Sequence, residues 1–156
     1  MDWKSDFLRQ RDDVEANVRL AKSTFAANSP ELAESHNRYV RARDAVNLLI
    51  EDIQNSIREG RNPMSSAFYA GRAHDAEEAV LNFNNYVQRT ALPPENQSKF
   101  PVVALPLITT IGGAVWDKIA ASHAQAEQER KVVLERTAVD LNSVRFPDFA
   151  DISAKP

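Results

Sequence analysis

Residues 29–60 read SPELAESHNRYVRARDAVNLLIEDIQNSIREG, and this stretch decides the architecture. Leu32, Tyr39, Val46, Ile50, Ile53 and Ile57 recur at spacings of three, four and seven. An α-helix advances about 100° per residue, so these side chains share one face. Both ends are signalled as well. Ser29 is placed to accept from the exposed N–H groups of a first turn, and Pro30 at the first helical position gives up a donor that has no helical partner. Glu31 and Glu34 suit the positive start of the helix. Gly60 offers a left-handed stop, and Pro63 blocks continuation. The stretch predicts an amphipathic helix over 30–59.

The same rhythm continues on either side. Trp3, Phe7, Val14, Val18, Ala21 and Phe25 precede it; Tyr69, Ala73, Ala76, Val80, Phe83 and Val87 follow, then Ile108, Ile111, Val115 and Ile119. These stripes predict helices over about 2–27, 30–59, 65–89 and 106–145, with Asp2 as the first N-cap. Gly71 interrupts the third helix at a cost of roughly 1 kcal/mol against alanine, and close packing on a neighbour is the expected reason. The segment Leu92–Lys99, with Pro93 and Pro94 and no apolar period, reads as a loop. Pro101 and Pro106 delay the fourth helix, and Gly112-Gly113 is a candidate kink within it. Beyond Trp116 the pattern turns alanine-rich and polar, then recovers in Leu134, Ala138, Leu141 and Val144. Phe146, Phe149 and Ile152 form an apolar tail expected to fold back on one end. The fold expected is an all-α antiparallel bundle of three long helices plus a broken fourth, in one domain over 1–156.

Composition fits a folded globular chain, with 43% hydrophobic and 26% charged residues among 156. The net charge of −3 removes the usual electrostatic reason to propose a nucleic-acid partner. Residues 2–27 carry five acids and five bases, so charge is locally mixed. With no cysteine, disulfides and thiolate chemistry are excluded. The acidic start Met1-Asp2-Trp3-Lys4-Ser5-Asp6, with no apolar run after it, reads as cytoplasmic; a trimmed leader would leave the same start.

A turn at Asn28-Ser29 folds the second helix antiparallel to the first, opposing residues whose numbers sum to about 57. Phe25 then meets Leu32, Val18 meets Tyr39 and Phe7 meets Ile50. Arg11, His36 and Arg43 interrupt this seam, and a buried charge is costly unless paired. One reading makes these three a polar pocket for a small anion. The other places them at the stripe edge, snorkelling or paired with acids. Arg38, Arg41 and Arg43 around Tyr39 form a basic cluster with an aromatic, but Glu31, Glu34, Asp44, Glu51 and Asp52 flank it. Val102–Trp116 is the most hydrophobic stretch and too short to span a bilayer, which takes about 20 apolar residues. It reads as a core helix or as a contact for a partner or membrane surface, with Trp116 and Ile119 as anchors. Phe146 and Phe149 are further candidate partner contacts. The asparagines Asn82, Asn84 and Asn85 read as an exposed helix face.

Catalytic spacings are missing. A ferritin-like carboxylate site needs Glu-x-x-His, but Ala33, Gly71 and Ala120 stand three before the histidines. His-Glu-x-x-His, the phosphate-binding Gly-x-x-x-x-Gly-Lys-Ser/Thr and Gly-x-Ser-x-Gly are absent too. No catalytic residues, metal ligands or cofactor are expected. The leading functional expectation is a non-enzymatic protein-interaction module, an adaptor or an inhibitor such as an immunity or anti-defence protein, contacting another protein or itself. The alternatives are a small-anion-binding protein or enzyme at the helix 1/helix 2 seam, and a peripheral membrane or secretion-apparatus component.

Overall fold

The computed structural model describes residues 3–97, 106–121 and 126–154. All regular structure among them is helical: α1 (Trp3–Thr24), α2 (Pro30–Arg58), α3 (Tyr69–Ala91), the one-turn α4 (Pro94–Gln97), α5 (Pro106–Ala120) and α6 (Glu127–Ser143). Short 3-10 turns cover Pro63–Ser65 and Phe149–Asp151. The expected cap at Asp2 and the residues 98–105 lie outside the described chain.

The ends of α2 follow their sequence signals. Asn28 turns the chain with φ of 66°, and the Leu32 N–H donates to Ser29 Oγ at 3.1 Å. At the other end Gly60 takes φ of 73°. Its N–H donates to the Ile57 carbonyl at 3.0 Å, and Arg61 N–H to Ser56 at 2.9 Å. Those two bonds close the helix in a Schellman motif, which requires the left-handed residue glycine supplies.

The start of α3 is not where the periodicity places it. Asn62 Oδ1 accepts from the Met64 N–H at 3.0 Å and starts a 3-10 turn. Ser66 then extends (φ −64°, ψ 136°), its Oγ accepting from the Phe68 N–H at 3.3 Å. These local side-chain bonds compete with helix and delay α3 to Tyr69. The loop after Leu92 likewise contains α4, with Pro94 at its first position. The fourth helix is broken, but α5 runs through Gly112-Gly113 and stops at Ala120.

Helices α2 and α3 form the most extensive contact and run antiparallel. Tyr39 meets Phe83 edge-on at 5.4 Å between ring centroids, the Arg38 guanidinium lies 4.5 Å from the Tyr86 centroid, and Arg72 bonds Asp52 at 3.0 Å. Helix α5 packs across α1 and α3, burying Ile111, Val115 and Ile119. There Gly112 has the role expected of Gly71. Its N–H donates to Tyr69 Oη at 2.9 Å, and a Cβ on it would lie 2.5 Å from Tyr69 Cε2. A Cβ on Gly71 would meet nothing within 4 Å, so close packing does not explain that residue.

One more expectation is corrected inside the bundle. Asn84 is buried rather than exposed, and its Oδ1 accepts from Asn17 Nδ2 at 2.9 Å across the α1–α3 contact. In helix α6 the expected stripe faces inward, with Leu134 and Ala138 half-buried and Leu141 and Val144 buried, while Val132 and Val139, off that stripe, face out. The helix lies along α2 and delivers the chain into the tail.

Candidate functional site

The tail does fold back, and it does so into the seam between α1 and α2. Phe146 brings its ring to 6.3 Å from that of Phe7 and 6.5 Å from that of Tyr39, so the two helices meet through it. Phe149 stacks on His36 at 4.8 Å and approaches Tyr39 at 5.9 Å. Phe146 and Phe149 are 4% and 8% exposed. Contacts advance along α1 and retreat along α2 as the tail proceeds, so α1 and α2 are antiparallel.

Side chains of both helices bond the tail's backbone. Arg11 Nη1 donates to the carbonyls of Ser143 (3.0 Å) and Arg145 (3.2 Å), capping the end of α6. Asn47 accepts from the Phe146 N–H at 2.8 Å and donates to its carbonyl at 3.1 Å. Tyr39 donates to the Pro147 carbonyl at 2.8 Å. Lys22 donates to the carbonyls of Phe149 and Ile152, and its ammonium sits 4.6 Å from the Phe149 ring centroid. Arg43 pairs with Asp148 at 2.6 Å and with Asp44 at 2.9 Å. Burial holds the Tyr39 hydroxyl far above the usual tyrosine range, and partial burial lowers Lys22 against the opposing pull of Asp151.

The two sets of candidate residues therefore meet each other. Arg11, His36 and Arg43, read as a pocket for an anion, each contact the tail from the edge of the seam, where His36 is exposed and the two arginines are half-buried. Phe146 and Phe149, read as partner contacts, are buried against those same helices. Ile111, Val115 and, beyond them, Ile119 are buried and Trp116 is half-buried, so the described part of Val102–Trp116 belongs to the core on one face. The basic cluster offers no stacking platform either. Tyr39 is fully buried, while Arg38 bonds Glu34 and Asn82.

One open corner is not marked by the periodicity. The 3-10 turn after α2 and the start of α3 border an open cavity of about 450 Å³, with Asp52, Ser56, Glu59, Asn62 and Ser66 in its wall. Phe68 stands at its edge, 65% exposed, with Met64 46% exposed nearby. The Arg72 guanidinium lies 5.3 Å from the Phe68 centroid while bonding Asp52. Sequence offered one signal: Phe68 is an aromatic off the Tyr69–Ala73–Ala76 stripe, beside a segment rich in turn residues.

Among the described residues no group of three or more His, Asp or Glu is placed to hold a metal ion. No described helix is long and apolar enough to cross a membrane. No protein family, curated protein or solved structure compared with the chain matches it.

Proposed function

We propose that this chain is a non-enzymatic protein-interaction module, an adaptor or an inhibitor of the immunity or anti-defence kind, and that it meets its partner through the Met64–Phe68 corner. The observation that carries the reading is Phe68, 65% exposed on a turn whose backbone is fixed by Asn62 and Ser66. Exposed aromatic surface is unfavourable in water, and rigidly presented aromatics are the side chains that anchor protein interfaces. Arg72 lies against the ring and adds a second residue type enriched at such anchors. The cavity beside it, with Asp52, Ser56 and Asn62 in its wall, would take a hydrogen-bonding side chain from the partner, while the tail, already buried, serves the fold.

The test places a photo-crosslinking amino acid at position 68 and, as control, at the exposed Leu48, in the native cell. One discrete adduct from position 68, lost when Met64→Ser is added, is the expected result. Equal adducts from both positions, or none from 68, would overturn the reading.

A further inference from the structure

Between the last turns of α2 and the middle of α6 lies a second cavity, of about 270 Å³. Its floor is Ile57, Leu134 and Ala138. Gln54 also lines it, but its amide is occupied: Nε2 donates to the Ala138 carbonyl (3.2 Å) and to Asn142 Oδ1 (2.8 Å), and Oε1 accepts from Arg145 (2.7 Å). Nothing polar on the floor is left to recognise a ligand, so whatever enters must present an apolar body.

The rim is different in kind. Arg58, Lys131 and Glu135 stand there, and none forms an ion pair with another described residue. Two cations against one acid leave the rim at +1. Arg58 and Lys131 are long enough to lay their stems on apolar surface while their charged ends meet an anion. A dry apolar cavity of about 150 Å³ accommodates a benzene ring, and ligand pockets begin at about 300 Å³. The space therefore fits one aromatic ring or a medium-length acyl chain.

We propose that this cavity binds a small apolar carboxylate, an acyl or aryl acid, with its body on Ile57, Leu134 and Ala138 and its carboxylate between Arg58 and Lys131. A cationic amphiphile of the same length meets net like charge, and a neutral one gains nothing from the rim. The site is on a different face from Phe68, so it stands or falls separately from the partner reading.

Calorimetric titration of the full chain with decanoate and with decanol, together with thermal melts, tests this. Decanoate is expected to bind at submillimolar concentration, at least tenfold tighter than decanol, and to raise the melting temperature. Arg58→Gln with Lys131→Gln should remove most of that preference without changing the melting temperature of the free protein, because both changes are at the rim. Ala138→Leu should block both ligands by filling the floor. Equal affinity for decanoate and decanol, insensitivity to the rim double variant, or no binding up to millimolar decanoate would each overturn the proposal.

Discussion

The hydroxyl of Tyr39 donates to the carbonyl of Pro147 at 2.8 Å, joining the middle of α2 to a residue 108 positions later. Tyr39 is fully buried, and its ring also touches Phe83, Phe146 and Phe149. The bond therefore lies where core and tail meet. Tyr39→Phe keeps the ring and strands the carbonyl, which should cost about 1 to 2 kcal/mol. Urea denaturation followed by circular dichroism reads this directly, and an unchanged midpoint would show that water replaces the hydroxyl.

The same hydroxyl makes stability pH-dependent. Burial, aided by the charges of Glu15 and Asp148 and opposed by Arg43 and Arg11, keeps Tyr39 protonated well above the ordinary value of 10.0. Below that pH both folded and unfolded chains hold the proton, and the full contribution is present. Above it the unfolded chain releases the proton while the folded one does not, so stability falls by up to about 1.4 kcal/mol per pH unit. The advantage of wild type over Tyr39→Phe should therefore narrow progressively as the pH rises above about 10. A constant difference would mean that Tyr39 ionises in place.

The seam was legible by half. The polar side chains that interrupt the apolar stripe, Arg11, His36 and Arg43, lie at its edge, with His36 exposed and both arginines half-buried. Their partners are the backbone of Ser143 and Arg145, the Phe149 ring and Asp148. Nothing in local periodicity links positions so distant, which is why the same residues also read as an anion pocket. Caps were legible wherever one residue decides them, as at Ser29 and Gly60. The delayed start of α3 was not, since it depends on Asn62 and Ser66 bonding neighbouring N–H groups in competition with the helix. Phe68, already off the core stripe, then falls on the turn before the helix and is exposed.

Within the tail, burial rather than charge should decide stability. Phe149→Ala removes a ring packed on His36, Tyr39 and Lys22, and should cost about 3 kcal/mol. Asp148→Ala breaks an ion pair whose acid is 68% exposed, and should change stability by less than about 0.5 kcal/mol. Light scattering on a chain ending before Arg145 should show association, because Phe7 and the Tyr39 face lose their cover. If that form stays monomeric with an unchanged melting temperature, the tail does not close the seam.

Two glycines should respond in opposite directions. Gly71 is an exposed helical position with open space around it, so Gly71→Ala should stabilise by about 0.5 to 1 kcal/mol. Gly112→Ala drives a methyl into the Tyr69 ring and should cost about 1 to 3 kcal/mol. Thermal melts of the two variants should bracket wild type. Loss of stability in both would mean that Gly71 has a packing partner after all.

The buried pair Asn17 and Asn84 tests what pins α1 to α3. Each is 2% exposed, and they share one bond while Asn17 Oδ1 and Asn84 Nδ2 have no protein partner. A pair so incompletely bonded adds little net stability, yet removing one member strands the other in an apolar core. Asn17→Ala and Asn84→Ala should each cost about 1 to 3 kcal/mol. The double variant removes both stranded amides, so its cost should fall short of the sum by about 1 kcal/mol or more. Denaturation of the four proteins closes the cycle. Strict additivity would mean that the amides do not act as a pair, leaving apolar packing alone to set the α1–α3 contact.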